Sequence, residues 1–373
     1  MTPALDLAKL PAPARKVLDP ASPAPMRMMA ARGIVPGLKP GDLVAVLAAL
    51  AEGEDPKLAE AAQATLSNLP PPLLAGALSA DLEPGVIDAL ARLHLRRDDV
   101  IEKLIGMPRV PIDTVAFLAA RGSERVTEHI ATNEARLLEN PVIIEKLYMN
   151  KATRMSTADR IIELAGRNNL ELHGVPAYRE VVAALQNELI AEPSEERTPD
   201  DLDFLEAERI AQQVEAKQLA DADADAPVEE LPAPLLSIHS KLANLSISGR
   251  IRRAILGTGA ERNILLSDTN KLVATAAIRS PMIQEEDVER ISKRRQVNDE
   301  VLRIIATNGR WLENHTIKFN LVSNPRTPFM YVIKLVAHLR DDELKRLEKS
   351  REVAAPVRTA AKQQLSRKGK GRS

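Results

Sequence analysis

Apolar residues in this chain come in short helical blocks. From Asp42 onward Leu, Val, Ile and Ala recur at three- and four-residue spacing, and each block lasts about ten residues before a Pro, Gly or Asp/Asn/Ser interrupts it. DLVAVLAALAE, opened by Asp42 as an N-cap, is followed by DPKLAEAAQATLSNL, PPLLAGALSA, EPGVIDALARLHL, RDDVIEKLIG, VPIDTVAFLAARG and ERVTEHIA. Pro56, Pro84, Pro111 and Pro141 stand at block starts, where a missing N–H costs nothing. No sustained alternation of period two occurs, so strands are not expected. A ten-residue amphipathic helix is marginal by itself, and two packed helices still expose an apolar face. The pattern therefore predicts an all-α chain in which helix pairs stack into an irregular solenoid.

The joins repeat. Leu265-Leu266-Ser267-Asp268 echoes Leu137-Leu138-Glu139-Asn140, and a shorter echo stands at Leu321-Val322-Ser323-Asn324. Asp268, Asn270, Asn140, Asn298 and Asn324 read as helix caps, or as a polar ridge for a partner. The block texture breaks twice. Eight prolines before residue 41 predict an extended or loosely packed lead over 1–41. Residues 192–234 form an acidic linker, in which Pro199 to Leu219 reads as a helix with Leu202, Leu205, Ile210 and Val214 as its stripe; ADADADAP beyond it reads as flexible. This gives two helical arrays, 42–191 and 235–366, and a basic tail at 367–373.

Aromatics are 2% of the chain, so the core must be aliphatic. With no cysteine, disulfides and thiolate chemistry are excluded, which fits a cytoplasmic protein. No apolar run approaches the roughly 18 residues of a membrane span. The net charge of −1 hides an imbalance: residues 235–373 carry +13 and residues 192–231 carry −11. A basic half of that size makes nucleic acid a candidate partner, with Arg250, Arg252, Arg253, Arg262, Lys271 and Arg279 as the residues that would track phosphates or contact a partner protein. The alternative for these six is a solvated face, with Arg252 and Arg253 on different sides of their helix. Lys293, Arg294 and Arg295 end a helix, where cations complement its dipole.

Catalytic patterns are absent. His94, His129, His173, His239, His315 and His338 form no H-x-x-x-H pair, and no G-x-S-x-G occurs. Gly257-Thr258-Gly259 follows no strand and reads as a helix C-cap. Asn244 to Gly249 spells the N-x-S-x-x-G half of the cyclic-di-GMP motif of PilZ domains, but the R-x-x-x-R half is missing, so a helix start capped by Ser246 or Ser248 is expected.

One resemblance adds to this. Ile251-Arg252, Ala254, Gly257, Arg262, Leu265-Leu266, Asp268, Asn270-Lys271-Leu272-Val273, Ser280-Pro281, Asp299-Glu300-Val301-Leu302, Trp311, Lys318, Leu321-Val322, Asn324-Pro325 and Thr327-Pro328 resemble a helical-repeat module of bacterial proteins, similar to HEAT and leucine-rich-repeat-variant arrays, over about 245–365. The resemblance implies a HEAT-like fold and transfers no catalytic residue, metal or cofactor. The expected function is a non-catalytic scaffold or adaptor binding another protein, with nucleic-acid binding as the alternative.

Overall fold

A computed structural model of the chain describes residues 10–186, 188, 190, 192–194, 196–220, 233–350 and 353–370; for 217–220, 233–236 and 368–370 only the backbone is described. Among the described residues there are 24 α-helices, one short 3₁₀ turn and no strand. The chain separates into two compact units, Met1–Gly174 and Val175–Ser373.

Helices are short because the sequence starts and stops them locally. In the first unit Pro sits in the opening turn of Pro40–Ala51, Pro56–Ser67, Pro71–Leu78, Pro84–Leu93 and Pro141–Met149. Elsewhere side chains satisfy the orphan amides: Asp55, Ser123 and Asn133 in the first unit, and Ser246, Thr258, Asn270, Asn298 and Asn314 in the second, accept from backbone N–H groups one turn on. Ser246 takes the Gly249 N–H at 3.0 Å, so the N-x-S-x-x-G stretch is a helix start. Asp42 lies inside the first turn of Pro40–Ala51 rather than at its cap.

The cores are aliphatic, with Tyr148 and Phe204 as the buried aromatics. Within each unit, helices touch their neighbour and also the helix two places on. Pro40–Ala51 meets Pro71–Leu78 in the first unit; in the second, Ile247–Leu256 meets Lys271–Ile278, which meets Asp299–Thr307, and Glu285–Lys293 meets His315–Ser323.

The ends and the middle of the chain depart from the sequence reading. The proline-rich lead is not extended where it is described: Ala12–Leu18 and Ala24–Ala31 are helices, and Ala14, Val17, Ala30 and Ala31 are buried. Proline limits helix length there without preventing packing. At the other end Ala355–Lys370 continues into the basic tail. The acidic stretch holds a 22-residue helix, Pro199–Ala220, packed in the second unit against Ala233–Asn244. Its inward face is Asp201, Phe204, Ala207, Ala211 and Val214, whereas Leu202 and Leu205 are 54% and 38% exposed. Phe204 carries the burial, and small alanines let the neighbouring backbone approach. Most of ADADADAP lies outside the described residues.

Candidate functional site

The six cations expected to track phosphates do not form one row. Arg252 and Arg253 are completely buried, and each guanidinium carbon lies 5.0 Å from the centroid of the Phe204 ring. Successive helical residues diverge by about 100°, but both arms are long enough to reach around one ring. Arg253 donates through Nε to Glu261 at 2.8 Å and through Nη2 to both carboxylate oxygens at 2.5 and 2.6 Å; Nη1 reaches Glu208 on Pro199–Ala220. Glu261 is itself fully buried and also accepts from the Thr258 N–H at 2.8 Å and hydroxyl at 3.1 Å. The Arg262 guanidinium donates to the Gly257 carbonyl at 2.5 Å. Burial pushes its pKa down from the usual arginine value, opposed by Asp287, Glu261 and Glu215. Gly257 is required for space: a Cβ there would lie 2.4 Å from the Arg253 carbonyl and 2.6 Å from the Glu261 carboxylate.

Arg250 pairs with Asp268 at 2.8 Å and Arg279 with Glu180 at 3.0 Å. Lys271 is exposed, near enough to Glu300 to add to the pull of Arg303, which comes first in holding that carboxyl below its ordinary value. Both sequence readings of Arg252 and Arg253, phosphate contact and solvated face, are thus replaced by a buried ion cluster. Its aromatic partner Phe204 and one of its acids, Glu208, come from the stretch taken as a linker, and the other acid, Glu261, from the turn after the arginines' own helix.

A second set of buried polar residues forms joints. Asn150, just after Pro141–Met149, donates its amide to the carbonyls of Ala119 and Gly122, both at 3.0 Å, and its oxygen accepts from Ala152 N–H at 2.9 Å. Asn324, just after His315–Ser323, does the same to Ser292 at 2.9 Å and Arg294 at 2.8 Å, and accepts from Arg326 N–H at 3.0 Å. The Ser280 hydroxyl reaches the Ile255 carbonyl at 3.1 Å, and the Nε2–H of His94 donates to Leu66 at 3.1 Å. In each case a residue closing one helix satisfies the terminal carbonyls of an earlier helix. Asn270 and Asn298 are N-caps as read from sequence, whereas Asn140 turns its amide back to Arg136 and Asp268 receives Arg250.

Three surface features of the second unit stand out among the described residues. A cleft of about 340 Å³ is lined by Lys293, Arg295, Phe319, Asn320, Ser323 and Arg346, with Asn324, Leu347, Ser350 and Val353 completing it. A shallower groove of about 460 Å³ runs beside Trp311, which is half-buried, together with Arg279 and Ser280. On Phe329–Val336 the face holding Val332, Leu335 and Val336 is buried, while Phe329, Met330 and Ile333 are 50%, 60% and 43% exposed. Sequence reasoning passed over both Arg346 and this ridge; the signal was the extra apolar residues on an otherwise ordinary amphipathic helix.

Comparison with protein-family models, with curated proteins and with solved structures finds no match. Among the described residues no helix is long and apolar enough to cross a membrane, and no group of three or more His, Asp or Glu gathers as a metal site.

Proposed function

We propose that the protein is a cytoplasmic helical-repeat scaffold, each unit an irregular HEAT-like stack of helix pairs, that holds another protein on the second unit. Two features support the stack: helices touch the helix two places on, and buried joint residues reach back to earlier helix ends. The observation carrying the binding role is the ridge of Phe329, Met330 and Ile333. Three large apolar side chains stand partly exposed, side by side, on a helix whose other face is buried, and a contiguous apolar strip of this kind supports a covering partner. Arg326 and Lys334 flank the ridge and are exposed. The matching partner surface is an apolar helix face with acidic margins. This reading assigns no catalytic residue. The nucleic-acid alternative loses its row of contacts, since every candidate cation but Lys271 is buried or ion-paired.

A photo-crosslinking residue at Met330, used in the source cell, tests the reading. The expected result is a discrete adduct with one other protein, absent from the same probe at exposed Lys57 and lost when Ile333→Asp is added. Adducts shared with position 57, or adducts only with a second copy of this chain, overturn it.

A further inference from the structure

The second unit has an open turn where the first has a packed helix. Counted back from the clamp asparagine, the first unit has Leu137, completely buried on the α-helix Glu134–Glu139. The second has Trp311 there, half-buried on the 3₁₀ turn Trp311–Glu313. An aliphatic residue is enough to pack this place, as Leu137 shows. The chain's single tryptophan instead joins Ile278 and Ile304 as the apolar lining of the groove of about 460 Å³.

The polar rim of that groove is mostly engaged. The Ser280 hydroxyl donates to the Ile255 carbonyl at 3.1 Å, and the Thr307 hydroxyl to the carbonyls of Arg303 at 3.1 Å and Ile304 at 3.0 Å. Arg279 is balanced by Glu180 at 3.0 Å, and no carboxylate lines the groove, so its charge favours neither an acidic nor a basic ligand. Two groups are left over. Asn308 accepts the Arg310 N–H at 3.1 Å through its side-chain oxygen, but its amide N–H groups have no acceptor among the described residues. Neither has the indole N–H of Trp311, and both residues are half-buried.

Such a groove suits a ligand with an apolar body, carbonyl acceptors and no hydrogens of its own to leave unmet. A run of prolines is that ligand. Each residue has a C=O and no N–H, and the extended helix it forms is set before binding. Aromatic walls receive its rings. An amphipathic helix fits less well, because its carbonyls are already used within it.

We propose that the Trp311 groove binds an uncharged proline-rich segment of another protein, with Trp311 packing on the proline rings and Asn308 and the indole N–H donating to its carbonyls. This is a second site, and its test reads Trp311, so it and the ridge on Phe329–Val336 can fail separately. Emission of the only tryptophan is followed while the full chain is titrated with acetylated hexaproline amide, with a glycine–serine hexapeptide and with hexaglutamate. A saturable blue shift with hexaproline alone is expected. Asn308→Asp keeps the acceptor for the Arg310 N–H and puts a carboxylate where the donor was. It is expected to weaken hexaproline at least tenfold, the order that one unmet buried acceptor costs. Thr307→Arg, at an exposed position on the rim, is expected to abolish the shift while circular dichroism stays unchanged. No saturable shift with hexaproline, an equal or larger shift with either other peptide, or wild-type affinity in Asn308→Asp overturns it.

Discussion

The two units use one joint and place charge differently around it. Asn150 and Asn324 each close a helix, bind two carbonyls of an earlier helix and accept one local N–H. Around them the first unit keeps its buried charge modest. Asp88 is completely buried but is met by the Thr114 hydroxyl at 2.7 Å and by Arg92 at 2.8 Å, an arginine that remains part-exposed. The second unit buries Arg253 and Glu261 together and stacks Arg252 beside them on Phe204. Backbone satisfaction is the shared requirement of stacked short helices. Buried ion pairs are not, because their Coulomb gain roughly repays desolvation.

The largest effect separating the units is expected from Glu261→Ala. It leaves Arg253 buried with only Glu208 and costs about 3–5 kcal/mol, whereas Asp88→Ala strands one hydroxyl and costs about 1–3 kcal/mol. Urea denaturation, with hydrogen exchange to assign the loss to a unit, measures both; equal costs would erase the contrast. Next come Asn150→Ala and Asn324→Ala, each expected to cost about 2–4 kcal/mol by orphaning two carbonyls. Similar values support one shared joint, and a difference of more than about 2 kcal/mol breaks the equivalence. Replacement by Asp sharpens it: Asn324→Asp, among the cations of its cleft, is expected to be the milder of the two.

A graded effect comes from His94. Burial first, and Arg97 second, hold its pKa below 6.5, against the opposing hydrogen bond to Leu66 and the charge of Asp99. The folded ring is therefore neutral where the unfolded ring takes up a proton. Its contribution is complete above pH 6.5 and is lost as the pH falls below that value. Melting between pH 7.5 and 5.5 is expected to weaken the first unit, and His94→Asn to flatten that slope; an unchanged slope counts against the assignment. The smallest effect belongs to Leu205→Ala, expected within about 0.5 kcal/mol because the side chain faces out, while Phe204→Ala costs about 3–5 kcal/mol. If Leu205 costs as much as Phe204, the inward face of Pro199–Ala220 is misassigned.

What the sequence made legible was local. Proline starts and the caps at Ser246, Asn270 and Asn298 depend on residues one turn apart, and the structure has them. The joints were misregistered, because matching Asn140, Asp268 and Asn324 by neighbouring leucines misses the repeated element, a reach from Asn150 and Asn324 to helices far back in the chain. Arg252 and Arg253 were unreadable for the same reason: Phe204 and Glu208 lie far away in a segment whose charge suggested a solvated linker. Lys293 and Arg295 were legible as a helix end but not as a cleft, since Arg346 reaches it from another helix.

The buried ion cluster also orders the making of the second unit. Phe204 and Glu208 leave the ribosome before Arg252, Arg253 and Glu261. Until those later residues emerge, Pro199–Ala220 has no guanidinium to cover and holds an acid it cannot afford to bury. Closure of this unit therefore waits on the helix that ends at Leu256 and on the turn after it. A chain that ends before Glu261 lacks the buried carboxylate that pairs with Arg253.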